Sequence, residues 1–412
     1  MKNNIVADVF VIGGGPAGIA AAVALKRQNV GRVIVLEREP EVGGIPRHCG
    51  HSPFGMREFG RVLQGSEYAR RLAQLAKAHN VEVMANTTVV SIEPNATLVV
   101  STAEGMQQLQ ARRIIMATGV RESPRSALLV SGDRPTGIMN TGALQSWVYL
   151  RGLQPFKRPL IVGTELVSLS ALLTCRHAGI KPVAMVESHG RPTTRRPFML
   201  LPRLLGVPVN YQCEIVHIDG VKRVESVRIR QRGVERDISC DGVLFTGQFI
   251  PDSALIRASH LRLDPATGGP EIDQFGRCSD PTYYATGNML RALETAGWSF
   301  REGKLVGEMV ASDLAAENAA PPADIALQSG DEAIKWLLPQ RIVSRDIGQG
   351  IDRLQLRVRK PVQGELQLIQ QGQILWQKKR SLLPERRILI PLSQLKNLHS
   401  AEPITIALKN KE

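Results

Sequence analysis

Gly13-Gly14-Gly15-Pro16-Ala17-Gly18 fits the spacing G-x-G-x-x-G, and Glu37 follows about 20 residues after the last glycine. These residue types bind a dinucleotide. Gly13 allows a tight turn, Gly15 lets a pyrophosphate approach bare backbone, and Gly18 lets a helix pack closely on a strand. A helix starting at the turn offers free N–H groups and partial positive charge to phosphates, and Glu37 can accept hydrogen bonds from a ribose diol. A second acid-terminated unit has a poorer turn, Gly163-Thr164-Glu165-Leu166-Val167-Ser168. Only its first glycine remains. Leu166 and Ser168 add bulk, and Glu165 brings a negative charge toward any pyrophosphate. A like-charge pair at ~5 Å and an effective dielectric of ~20 costs about 3 kcal/mol, more than a hundredfold in affinity. A third set, Arg47, His48, Cys49 and His51, follows Gly43-Gly44. A histidine here has a pKa suited to moving a proton near neutrality. An arginine can hold a carboxylate or phosphate. The alternative for each is a loop that packs and bonds its own backbone.

The elements around these residues are legible. Asp8–Ile12 is a β-branched strand, Ala17–Gln28 a helix and Arg32–Leu36 a second strand, so the first fingerprint sits in a βαβ unit. Ser66–His79 carries Ala69, Leu72, Ala73 and Ala76 on one helical face. Short strands follow at Val81–Met84, Thr88–Ile92, Thr97–Ser101, Met106–Gln110 and Arg113–Ala117, the last ending in Ala117-Thr118-Gly119. The second unit is Pro159–Val162, Leu166–Ala178 and Lys181–Val186, with Glu187 after it. Thr286-Gly287-Asn288 precedes a helix running from about Glu294 to Leu314. Residues 315–330 are rich in Ala, Pro and Ser and read as a linker. Period-two alternation beyond it predicts a small all-β module.

The chain has 412 residues, 52 Lys+Arg against 38 Asp+Glu, and a formal net charge of +14. That length predicts more than one domain. The charge fits an acidic partner, an anionic substrate or a membrane surface in peripheral contact. Sparse aromatics and the lack of a recognition module argue against nucleic acid. No apolar run has the length of a membrane span. The early first strand and the scattered cysteines, with no C-x-x-C, predict a cytoplasmic protein with no metal site or iron–sulfur cluster of its own.

In this order the markers resemble the flavoprotein family with two dinucleotide-binding domains, the pyridine nucleotide–disulfide oxidoreductases. The stretch Gly43–Gly55 resembles more narrowly the α subunits of opine oxidase, hydrogen cyanide synthase and dye-linked proline dehydrogenases. The resemblance implies an α/β fold of two Rossmann-like domains. The FAD-binding domain (1–122 and 250–314) would be discontinuous and the NAD(P)-binding-like domain (123–249) inserted. The linker (315–330) and the β module (331–412) would follow. It implies FAD held by Gly13, Gly15, Pro16, Ala17 and Gly18 at the pyrophosphate, and by Glu37 and Arg38 at the adenosine. Val89 would meet the adenine edge. Gly44, Ile45, Ala117, Thr118 and Gly119 would lie along the cofactor, Gly287 and Asn288 along the ribityl chain, and Thr295 and Ala296 at the flavin pyrimidine. Arg47, His48 and His51 would lie near the isoalloxazine as candidate catalytic residues. NAD(P) stays open as a second ligand at the degenerate site. Cys49 has no second cysteine nearby, so disulfide reduction is not expected. Three functions remain: a dehydrogenase subunit for a small amine, amino acid or hydroxy compound passing electrons to a partner subunit or an iron–sulfur carrier; an NAD(P)H-dependent flavin reductase; and a flavin-bearing scaffold.

Overall fold

The computed structural model describes residues 5–316, 325–384, 386–395, 398 and 401–410. Its first sheet is built on Ile5–Ile12, whose buried residues Val9, Phe10, Val11 and Ile12 face helices and strands on both sides, as a central parallel strand requires. Ile5–Ile12 pairs in parallel with Val33–Leu36 and with Gly105–Met116. Glu82–Met84 extends the first flank, and Tyr283–Ala285 joins beside Gly105–Met116. The two strands expected at Met106–Gln110 and Arg113–Ala117 are one continuous strand. Arg112 and Arg113, which break its apolar pattern in sequence, reach Asp8 and Asp313.

The helix Pro16–Arg27 begins with Pro at its first position, where the missing N–H is harmless, and is buried along Ala17–Leu25. The closing helix Ala296–Ala315 lies against it. A Cβ on Gly303 would fall 2.0 Å from Ala17 O, so only glycine permits this approach.

The second parallel sheet has the order Val209–Tyr211, Ala184–Glu187, Pro159–Val162, Gly242–Phe245, Ile138–Asn140, with the helix Leu166–His177 inside the unit. Val120–Glu122 and Phe249–Pro251 pair antiparallel where the chain leaves the first sheet and returns to it. Beyond residue 324 the described residues form strands, with short 3-10 turns at Ser344–Asp346 and Leu392–Leu395, in two sheets around a core that includes Leu354, Leu366 and Ile406. The linker reading needs correction. Residues 317–324 lie outside the described residues, and Ile325–Ser329 is a strand. The module is docked on the first sheet's core through Trp336, Leu338 and Ile351. Gln274 and Gln340 stitch the seam with buried bonds to Val343 and Ile272.

Candidate functional site

The first glycine turn leaves a helix mouth bare. Gly13 has φ +103°, and a Cβ there would meet Ala117 O at 2.6 Å. Gly18 would put a Cβ 1.9 Å from Gly13 O. At Gly15, by contrast, a Cβ would find only Gly44 Cα, at 3.9 Å. Gly15 caps Pro16–Arg27 with no side chain bonded to the first N–H groups. Gly44 lies across it, and Gly43 N–H donates to Gly14 O at 2.7 Å. The result is an open, backbone-lined space at a helix N-terminus, which suits a phosphate.

Glu37 is buried beside this turn. Its Oε2 accepts Gly14 N–H at 2.8 Å and its Oε1 accepts Glu39 N–H at 3.0 Å. Arg38 is exposed and reaches Asp252 at 3.8 Å. Thr87 N–H bonds Glu37 O, which places Val89 two residues along from that end of the space. Ala117 is buried, Thr118 Oγ1 donates to Asp252 O at 2.8 Å, and Gly119, at φ +75°, faces open space. Gly287 touches Ala17, where a Cβ would fall 2.7 Å from that side chain. Thr295 and Ala296 open the closing helix, again with no side-chain cap. Asn288 also holds the loop ahead of the closing helix. Its amide donates to Glu294 O at 3.0 Å and its carbonyl accepts Glu294 N–H at 2.8 Å, which pins the loop ahead of that helix.

The loop after Gly44 is a short 3-10 turn, Ile45–His48, with Ile45 partly exposed. Arg47 turns toward Glu39 and Glu41, 3.7 and 3.8 Å away. It lines a groove against the helix Gly65–Ala78, together with Tyr149 and His177. Burial, with help from the Arg47 charge, pulls the His48 pKa down to about 4, so the ring is neutral at physiological pH. Burial also lowers His51, partly offset by a weak bond to Ser52 O. Burial pushes the Cys49 thiol up to about 12, and its sulfur lies between Ile45 O and Gln145 Oε1. All five cysteines are buried and unpaired.

Sequence reasoning missed Glu122, the residue here whose proton is best poised. Burial raises its carboxyl to about 7. Its Oε2 accepts Gly142 N–H at 2.7 Å, and its Oε1 is buried without a hydrogen-bond partner. Glu165, at the head of Leu166–His177, adds to the shift. The only sequence signal was an acid three residues after Ala117-Thr118-Gly119.

The second cleft is filled by its own chain. A Cβ on Gly163 would lie 2.4 Å from Glu165 Oε2, and one on Gly247 would lie 2.8 Å from Glu165 Cδ. The Glu165 carboxyl therefore sits between the two glycine turns, where Thr246 Oγ1 donates to it at 3.1 Å. Glu187 has its oxygens taken by Thr164, by His189 N and Nδ1 at 3.0 and 2.7 Å, and by Thr193 Oγ1 at 3.3 Å. Burial pushes its pKa up, but these bonds outweigh that and leave it below the usual carboxylate value. Thr193 and Thr194 donate backbone N–H groups to Thr164, closing the loop over the turn.

The family described as pyridine nucleotide-disulphide oxidoreductase matches residues 7–303. An opine oxidase subunit of Rhizobium meliloti (strain 1021) is 27% identical, over 64% of this chain and 61% of its own length. The chain thus spans about three fifths of that relative. Hydrogen cyanide synthase subunit HcnB of Pseudomonas aeruginosa is 24% identical, over 76% of this chain and 72% of its own. Among solved structures, thioredoxin reductase of T. acidophilum superposes with a TM-score of 0.62 at 22% identity, covering 76% of this chain and 99% of that one. That last likeness is one of fold.

Proposed function

The chain belongs to the pyridine nucleotide-disulphide oxidoreductase family, a family of FAD-binding oxidoreductases that also use NAD(P)H, and we propose that it is an FAD-dependent dehydrogenase subunit. Its substrate would be a small amine, amino acid or hydroxy compound, and its electrons would leave through a partner subunit or carrier. One contrast carries this reading. The first dinucleotide cradle is open and complete, whereas the second is occupied by Glu165 and the loop 189–194.

In this reading the bare turn Gly13–Gly18 and Gly44 receive the pyrophosphate, and the N–H groups of Pro16–Arg27 offset its charge. Glu37, already fixed by Gly14 and Glu39, accepts the ribose hydroxyls. The uncapped N-terminus at Thr295 and Ala296 stabilises negative charge at the flavin pyrimidine. When bound, FAD would accept the hydride equivalent that leaves the substrate. His48, lowered by burial to about 4, is neutral at physiological pH and can act there only as a weak base. A partner subunit is supported by the relatives, whose names make them subunits of oxidases and synthases. No helix among the described residues is long and apolar enough to cross a membrane.

The test is anaerobic stopped flow on the flavin-loaded chain, with small amines, amino acids and hydroxy acids set against NADH and NADPH. The reading expects rapid reduction by one of the former and slow reduction by the nicotinamides. Rapid reduction by NADH or NADPH alone would install the reductase reading. No reduction by anything, alone or with the co-purifying partner, would leave only a scaffold.

A further inference from the structure

The segment that closes the second cleft carries a face that the fold does not use. From Ser188 to Cys213 the chain has four arginines and no aspartate or glutamate. Its first part is anchored, because Thr193 and Thr194 donate N–H groups to Thr164. A 3-10 turn, Arg196–Met199, then runs directly into the short helix Leu200–Leu204. Two leucine pairs, each four residues apart, divide the work. Leu201 and Leu205 turn inward and pack with Leu169 and Leu172, and Pro202 between them is buried. Leu200 and Leu204 turn outward, 55% and 73% exposed, and Phe198 ahead of them is 49% exposed. Helical spacing puts Leu200 and Leu204 in one row, with Arg203 beside it. Leu166, at the head of the neighbouring helix two residues past Thr164, is 59% exposed. Arg195, Arg196 and Arg203 are exposed, and among the described residues their side chains have no acid partner.

We propose that this face, Phe198, Leu200 and Leu204 interleaved with Arg195, Arg196 and Arg203, docks the chain on an anionic lipid surface. Exposed apolar side chains scattered singly are ordinary; a cluster of them among unpaired arginines is not. At a membrane interface the apolar side chains enter the acyl boundary. The arginine stems lie along it and carry their guanidinium groups to the headgroup phosphates. The backbone suits that setting. Pro197 and Pro202 have no N–H to satisfy, and Phe198, Leu205 and Gly206 donate theirs to the carbonyls of Arg195, Leu201 and Arg203. An acidic partner protein is the rival occupant. A protein interface is stitched by directional hydrogen bonds, about one per 100–200 Å². From Arg195 to Val207 arginine is the only polar side chain, so the segment has charge of one sign and hydrocarbon but no neutral group to specify a partner. A lipid leaflet asks for nothing more. No helix among the described residues is long and apolar enough to cross a membrane, so the contact is peripheral. The net charge of +14 adds attraction toward the same surface. This docking is independent of the dehydrogenase reading.

The experiment is cosedimentation of the full chain with vesicles of phosphatidylcholine alone and of equal parts phosphatidylcholine and phosphatidylglycerol. The wild type should bind the mixed vesicles and not the neutral ones. It should lose that binding between about 0.1 M and about 1 M NaCl, where the screening length falls to about 3 Å. Each arginine brought to such a surface contributes about fivefold, so R195Q/R196Q/R203Q should bind about a hundredfold more weakly. F198S/L200S/L204S keeps every charge and should still bind at least about tenfold more weakly. Both variants change side chains that the core does not use, so melting temperature should match the wild type. K378Q/K379Q, an exposed basic pair in the β module, is the control and should bind as the wild type does. Undiminished binding by either face variant, a loss as large with K378Q/K379Q, or no preference for the mixed vesicles would overturn the proposal. If the vesicles are ignored while a face variant sheds a co-purifying protein, the face belongs to a partner subunit and the lipid proposal falls. Should one face variant fold poorly, the other, with the lipid and salt comparisons, still decides.

Discussion

Gly15→Asp separates what the first turn does for the fold from what it does for the cofactor. Gly15 has φ −76° and ψ −174°, an extended conformation open to any residue, and its Cβ would touch nothing nearer than 3.9 Å. It is the N-cap of Pro16–Arg27, and aspartate is among the best residues there. The apo protein should keep its stability or gain up to about 1 kcal/mol. The same carboxylate would face the pyrophosphate. At ~5 Å and an effective dielectric of ~20, each like-charge pair costs about 3 kcal/mol, so FAD affinity should drop by more than about a hundredfold. Thermal melting of the apo proteins and flavin absorbance of the purified ones read the two effects separately. The expected variant is folded and colourless. A folded Gly15→Asp protein that keeps its full flavin would refute the placement of the pyrophosphate. Gly18→Ala gives the contrast: its Cβ would strike Gly13 O, so it should lose stability and flavin together.

Removing Arg291, which is wholly buried and paired with Glu302 and Gln355, leaves Glu302 with the longer pair to Arg387, 3.9 Å away, at the seam with the β module. Arg291→Ala should cost about 3–5 kcal/mol, visible as a lowered melting temperature. Stability should also bend with pH at two residues. His48, lowered to about 4, favours the fold above its unfolded value near 6.5 and loses that contribution as pH falls toward 4; in chemical denaturation His48→Gln should flatten this acid limb. Glu122 is the reverse, its carboxyl raised to about 7. Its protonated form favours the fold most fully below the unfolded value of 4.5, and the contribution is lost as pH rises through 7, so Glu122→Gln should flatten the limb between them.

The first cradle was readable because its parts are local: turn, helix and acid fall within Asp8–Glu37 and obey one spacing. The second cleft was half readable. Glu165 and Leu166 announced a poor turn, but nothing in the sequence said that Thr193 and Thr194 would fold back onto Thr164, nearly 30 residues away. Glu122 was invisible for the same reason. Its environment is assembled from Gly142, Cys49 and Glu165, which meet only when the two sheets are side by side. The strand Ile325–Ser329 was hidden by its Ala- and Pro-rich flank. Its pairing with Ile404–Asn410, some 77 residues on, overrides that composition. The docking of the β module likewise depends on Gln274 and Gln340, glutamines that carry no pattern in sequence.

The central claim is that one nucleotide site works and the other is closed by its own residues. Titrating NADH into the flavin-loaded chain under anaerobic conditions, with heat and flavin absorbance recorded together, tests it most directly. The account predicts no saturable binding below millimolar NADH and a flavin that stays oxidised over the time of substrate turnover. A micromolar dissociation constant, with flavin bleached at a catalytic rate, would contradict it.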